Sequence, residues 1–285
     1  MTDWRLEGER KTQYENDGYF VYRGLMDRDS AMQIKGVIVN QVLMPEVSQT
    51  IGADADPMDP MNNNTAAGRA ARFRKLGAVG TTSPVVWNYF YLNSALLSMA
   101  RYFLGDDAVM KFNSCFLKPA KTGSSTPWHQ DNGLWRDGDQ ESMNIWMAVD
   151  PATKENGCLQ FIPGSHKSGV IHEHVMYEDS VHIELPREEV SKAKEQFGLE
   201  HIELQPGDAV IWHSNLYHYS PPNTSDKGRI AIAGVFSAAE EARQNPIHQN
   251  HRWVLRRGEP VTVFPAERLE PYAVEKRSPP PSPKA

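Results

Sequence analysis

Cysteine is nearly absent: the 285 residues contain two, Cys115 and Cys158. That scarcity excludes a disulfide framework and a cysteine-based zinc site, so any metal must be held by imidazole and carboxylate. Long apolar runs are missing too. No stretch approaches the roughly 18 uninterrupted apolar residues of a membrane span, and the N-terminus MTDWRLEGER lacks the apolar segment of a secretory leader. A soluble, cytoplasmic protein with no membrane partner is expected. Positive charge is also in short supply. Thirty Lys and Arg against 36 Asp and Glu leave a formal net charge of −6, with no long basic run to track a phosphate backbone. Nucleic acid is therefore not an expected partner, and a small molecule is.

What is present can build a core: 7 Trp, 10 Phe and 10 Tyr within a chain that is 40% hydrophobic. The length fits one large domain, and a single one is expected over residues 1–275. Residues 5–45 read as helix, strand, helix. "GYFVYRGL" (18–25) is the strand, and Asp27 or Asp29 caps the helix through "SAMQIKGVIVNQVL". Residues 46–84 break into "GADADPMDPMNNNTAAG" and the basic "RAARFRKLG", an irregular segment that is either disordered or a lid. "NSALLSMARYFLG" (93–105) has apolar residues at helical spacing and stops at Gly105.

After residue 107 the texture changes to short strand-like runs between turn residues: "AVMKFNSCFLKP", "SMNIWMAVD", "GCLQFIPG", "HIELQPGDAVIWHSNLYHYSPPN" and "GRIAIAGVFS". They predict a sandwich or barrel over about 108–240. Helices first and strands later give an α+β, mainly β fold in which N-terminal helices buttress a β core. The tail 276–285, "RSPPPSPKA" with its flanking residue, is proline-rich and expected to be disordered. A homodimer is the base-rate expectation for the oligomeric state.

Among the ten histidines, "TPWHQDNGLW" (126–135) sets His129 two positions before Asp131. On a strand, positions i and i+2 face the same way, so an imidazole and a carboxylate would converge on one point. A third ligand must come from elsewhere. Two histidines and one carboxylate on one face leave positions open on ferrous iron. The candidates are His213 and His218 in "GDAVIWHSNLYHYSPPNTSDKGR". Ser220 lies on the same side as His218, and Arg229 opens the strand "RIAIAGVF". An inward guanidinium there implies an anionic ligand, because a buried unpaired charge is costly.

"GYFVYRGL", "WHQD", "NGCLQFIPGSHKSG" and "GDAVIWHSNLYHYSPPNTSDKGR" together resemble the phytanoyl-CoA dioxygenase family of Fe(II)/2-oxoglutarate oxygenases, over roughly residues 15–240. The resemblance implies a double-stranded β-helix, the cupin-like jelly roll, with iron in its mouth. It implies His129, Asp131 and His218 as iron ligands, with Arg229 and Ser220 binding the distal carboxylate of 2-oxoglutarate. Gln130 and Trp146 would line the cosubstrate pocket. The cofactor set implied is Fe(II), 2-oxoglutarate and O2, and the default outcome is hydroxylation of an unactivated C–H bond with release of succinate and CO2. Desaturation, epimerisation and ring formation use the same cofactors. Halogenases of this kind replace the carboxylate ligand with a small residue, and Asp131 occupies that place.

Other readings compete at single positions. His172, His174 and His182 could form a second metal site, against a solvent-facing or substrate-gating loop. His166 in "PGSHKSG" reads as part of a turn. Trp128, Trp135, Trp87 and Tyr91 flank a substrate or fill the core. Arg72, Arg74 and Lys75 greet an anion or form a solvated face. At the level of function, a zinc hydrolase using the same three ligands leaves Arg229 and Ser220 without a purpose. A silent jelly-roll binding protein predicts a broken ligand set.

Overall fold

A computed structural model describes residues 4–43, 53–55, 73–135, 142–180, 182–244 and 251–270. The longer helices among the described residues are α1 (Gly8–Asp17), α2 (Arg28–Leu43), α3 (Ser94–Leu104) and α4 (Arg187–Phe197). The strands are β1 (Tyr19–Tyr22), β2 (Ala53–Ala55), β3 (Phe73–Gly77), β4 (Ala108–Lys118), β5 (Thr126–His129), β6 (Ser142–Ala148) and β7 (Leu159–Phe161). They continue with β8 (Glu200–Ile202), β9 (Ala209–Trp212), β10 (His218–Ser220), β11 (Arg229–Ala238), β12 (Arg252–Arg256) and β13 (Glu259–Pro260).

Two antiparallel sheets form the core. The larger runs β1-β9-β6-β11-β4-β12-β13, with β3 also on β4 and β2 on β3, and the smaller runs β5-β10-β7-β8. Strands distant in sequence are neighbours throughout, as in a jelly roll. The large sheet is covered on both faces, which explains why "RIAIAGVF" shows no polar alternation. Ile230, Ile232 and Phe236 of β11 join Ile145 and Ile211 in a cluster with Leu96, Leu97 and Ala100 of α3. Ala231 and Ala233 face the other way, with Trp146, Phe161 and Trp212, into the cup between the sheets. The strand period of two thus sorts one residue set to the helices and the other to the site.

The helix ends follow capping chemistry. The Asn93 side chain accepts from the N–H groups of Ala95 and Leu96 at 3.0 and 3.2 Å, and α3 ends at Gly105. Of the two candidates for α2, Asp27 caps: its carboxylate accepts from Ser30 N–H at 2.8 Å.

The β core exceeds the expected span of 108–240. In the segment read as irregular, Phe73–Gly77 pairs with β4, and after residue 240, β12 pairs with the same strand. The remainder of 46–84 and the tail 276–285 lie almost wholly outside the described residues, Ala53–Ala55 and 73–84 excepted.

One turn pins the site-bearing strand β9 to β1. Asp208 accepts hydrogen bonds from Arg23 Nη1 (2.7 Å), Gly24 N (2.9 Å) and Gln205 N (3.0 Å). Beside it Gly207 has φ +88°, and a Cβ there would lie 2.0 Å from Met26 O, so only glycine fits. Burial opposes ionisation of Asp208, yet these donors outweigh it and hold the carboxyl below its usual range. A depressed folded pKa gives stability that is complete above the unfolded value and lost as pH falls through the folded one. Asp208→Asn is therefore expected to be less stable near neutral pH and to lose less on acidification below about pH 4 than the parent. Urea midpoints across that range check it.

Candidate metal and cosubstrate site

His129 ends β5 and His218 opens β10, and the antiparallel register sets them opposite one another. Their ring centroids are 3.9 Å apart. Each ring is oriented from behind: His129 Nδ1 lies 2.7 Å from Pro127 O and His218 Nδ1 2.9 Å from Leu216 O. A carbonyl only accepts, so both rings carry their proton on Nδ1 and present an Nε2 lone pair forward, the tautomer a metal requires. Burial, and then the neighbouring His218 ring, push the His129 pKa well below its ordinary value, which keeps it neutral.

Asp131 completes the set by a route other than the expected one. The strand ends at His129, and Asp131 begins a helical turn, Asp131–Trp135. Its oxygens lie 3.9 Å from His129 Nε2 and 3.8 Å from His218 Nε2. The three donor atoms fall within 4.8 Å of one another, and among the described residues this is the one group able to hold a metal. Burial raises the Asp131 pKa, and a hydrogen bond from Trp212 Nε1 to Oδ2 at 2.9 Å opposes that rise.

Arg229 opens β11 with 2% exposure. Its guanidinium packs on the Trp146 ring, 5.0 Å from the centroid, and both Nε and Nη1 are buried without a hydrogen-bond partner. Burial pushes its pKa down to about 10. The nearby carboxylate of Asp150 is committed to Lys35 (2.6 Å) and Ile230 N–H (3.0 Å). A cation held dry with unused donors is the signature of a site that receives an anion.

The other expected residues are placed as follows. Ser220 is buried two positions after His218, and its hydroxyl donates to Gly157 O at 2.9 Å. Donation to a ligand would require that bond to be exchanged. Gln130 is 0% exposed. Its Nε2 donates to Val170 O (2.9 Å) and Asn215 O (3.0 Å), and its Oε1 accepts from His172 N–H (2.9 Å). With all its polar atoms joined to backbone, Gln130 belongs to the framework behind the ligands and not to the pocket wall expected for it.

His213 is turned away from the donor set; its Nδ1 accepts from Asn215 N–H at 3.1 Å and its ring lies 5.3 Å from that of His166. His172, His174 and His182 gather no second metal group among the described residues. His174 instead accepts the Gln130 N–H at 3.1 Å, fastening the 170–174 segment over the ligand-bearing turn. Trp87 and Tyr91 are core. Trp128 stacks on Tyr219 at 5.2 Å, and Lys194 Nζ lies 4.6 Å from its ring centroid. Arg74 bonds Ser124 Oγ and Lys75 lies over the Phe112 ring. Arg72 and the Trp135 side chain are outside the described residues.

Residues 14–231 match the family model "Phytanoyl-CoA dioxygenase (PhyH)". The chain belongs to the phytanoyl-CoA dioxygenase family. It is accordingly an oxidoreductase of the Fe(II)/2-oxoglutarate-dependent dioxygenase class, with ferrous iron, 2-oxoglutarate and O2 as its cofactor set. Among its relatives, the L-proline trans-4-hydroxylase of Streptomyces griseoviridis is 27% identical over 191 residues, 61% of this chain and 71% of that one. The ectoine dioxygenase of Sphingopyxis alaskensis is 24% identical over 276 residues, 92% of this chain and 86% of that one. The phytanoyl-CoA dioxygenase of Arabidopsis thaliana is 33% identical over 125 residues, 44% of this chain and less than half (42%) of its own length. In fold, the chain resembles EctD from S. alaskensis solved with 2-oxoglutarate and 5-hydroxyectoine, with TM-score 0.69 at 21% identity over 96% of this chain and 88% of that one. No helix among the described residues is long and apolar enough to cross a membrane.

Proposed function

We propose that this PhyH-family dioxygenase hydroxylates an unactivated C–H bond of a small organic molecule, coupling it to conversion of 2-oxoglutarate and O2 into succinate and CO2. One oxygen atom enters the substrate and the other enters succinate. His129, Asp131 and His218 would hold the ferrous iron, which would supply dioxygen activation when bound. The single observation that carries the reading is the buried donor set of His129, Asp131 and His218, whose ligand atoms lie within 4.8 Å of one another.

The protein's own residues prepare each step by placement. Pro127 O and Leu216 O fix the tautomers of the two histidines, so no proton must leave before a metal is bound. Arg229 offers its unused Nε and Nη1 donors to the distal carboxylate of the keto diacid, with Trp146 holding the guanidinium plane. Ser220 joins that carboxylate by exchanging its bond to Gly157 O. Phe161, Ala231 and Ala233 pack with Trp146 and Trp212 in one buried apolar cluster, which keeps the surroundings of these groups dry.

The relatives named as a proline hydroxylase and an ectoine dioxygenase support a small, polar substrate and the hydroxylation outcome. A zinc hydrolase would give Arg229 no anion to bind. Incubation with Fe(II), 2-oxoglutarate, O2 and a panel of amino acids, cyclic amino-acid derivatives and acyl thioesters is expected to yield succinate together with a product that has gained one oxygen atom. Hydrolytic turnover with zinc, and no succinate with iron, would overturn the reading.

A further inference from the structure

Trp212 is the last residue of β9 and faces the cup. Its indole donates Nε1–H to Asp131 Oδ2 over 2.9 Å, a contact between residues 81 positions apart. An indole nitrogen is a donor only, and its rigid ring cannot present that proton elsewhere without leaving its seat. The seat is tight. The Trp212 ring is 6% exposed and lies 5.9 Å from the Phe161 ring and 5.4 Å from the His218 ring.

The backbone beneath it is equally held. Trp212 pairs with Tyr19 on one side and Asn144 on the other. Asn144 Nδ2 donates to Trp212 O at 3.3 Å and to Ser214 Oγ at 2.8 Å. The donor that meets Asp131 is therefore aimed by two strands and a buried amide.

We infer that Trp212 is a positioning residue that holds the Asp131 carboxylate in the orientation from which it would bind metal. Oδ2 carries the indole bond and lies 3.8 Å from His218 Nε2, while Oδ1 lies 3.9 Å from His129 Nε2, so the carboxylate is held with one oxygen toward each imidazole. Rotation of the carboxylate away from the two imidazoles would break the bond and leave a buried N–H without a partner, which is costly. The inference rests on the proposed function, because it presumes that Asp131 is a metal ligand.

The test uses Co(II) as a spectroscopic substitute for iron, on the full chain, with two variants. Trp212→Phe keeps an aromatic ring and loses the donor. Incorporation of 3-benzothienylalanine at position 212 keeps the indole shape and replaces N–H by sulfur, which covers the case in which the phenylalanine variant fails to fold. In both, Co(II) affinity is expected to fall by ~10–100-fold. The visible absorption of the bound ion is expected to change, because the carboxylate is no longer held in place. A folded benzothienyl variant with wild-type cobalt affinity and an unchanged spectrum would overturn the role of Trp212 alone. Failure of the wild-type protein to bind Co(II) or Fe(II) would overturn the proposed function and this inference with it.

Discussion

Replacing His218 by alanine is expected to remove tight ferrous binding and to lower turnover by on the order of 10³-fold or more, because a facial set of two ligands no longer defines a site. His213→Ala serves as the paired control. The two histidines lie five positions apart in sequence, but the register of β10 on β5 sets His218 against His129. His213 bonds Asn215 N–H instead and packs toward His166. His213→Ala should therefore retain iron with affinity near that of the parent. Equilibrium metal titration of both variants checks the expectation, and loss of iron in His213→Ala with retention in His218→Ala would reverse the assignment.

The second large effect has opposite signs in two measurements. Arg229→Met should weaken 2-oxoglutarate by on the order of 10²-fold, about 3 kcal/mol, since it removes the partner of a buried carboxylate. Iron binding should persist, because no metal ligand is touched. In the absence of ligand the same variant should be more stable than the parent by about 1 kcal/mol or more, because a dry guanidinium with two unpartnered nitrogens is replaced by an apolar chain of similar length. Thermal unfolding with and without 2-oxoglutarate reads both effects. The parent midpoint should rise with ligand concentration by mass action, and the variant should start higher and respond little.

Much of this site was legible in the residues because its chemistry is local. His129 and Asp131 are separated by one residue, and the buried guanidinium at 229 follows His218 within one β connection. Even so, spacing suggested a convergence along a strand, whereas the chain leaves the strand at His129 and turns Asp131 inward on a helical turn. The choice between His213 and His218 was open to inspection of the residues, since both sit among apolar neighbours and only strand register separates them.

The parts that escaped depend on contacts made after folding. The bond from Trp212 to Asp131 joins residues 81 apart, and nothing in "AVIWHS" marks the tryptophan as more than core. Gln130 falls between two ligands, so its position in the sequence pointed to the pocket, while its side chain turns back to three backbone groups. β12 was missed because "RWVLR" is short and flanked by charge, and α4 because it buries only Val190 and Ala193 on an otherwise polar surface. In both cases tertiary packing supplies what local pattern does not.

The measurement that bears most directly on the account is an anaerobic titration of the wild-type protein with Fe(II) and 2-oxoglutarate, followed by visible absorption. A charge-transfer band that appears only when both are present, is absent in His218→Ala and needs far more 2-oxoglutarate in Arg229→Met is the predicted result. Iron bound in the wild type with no band at any 2-oxoglutarate concentration, or a band of full strength in His218→Ala, would contradict it.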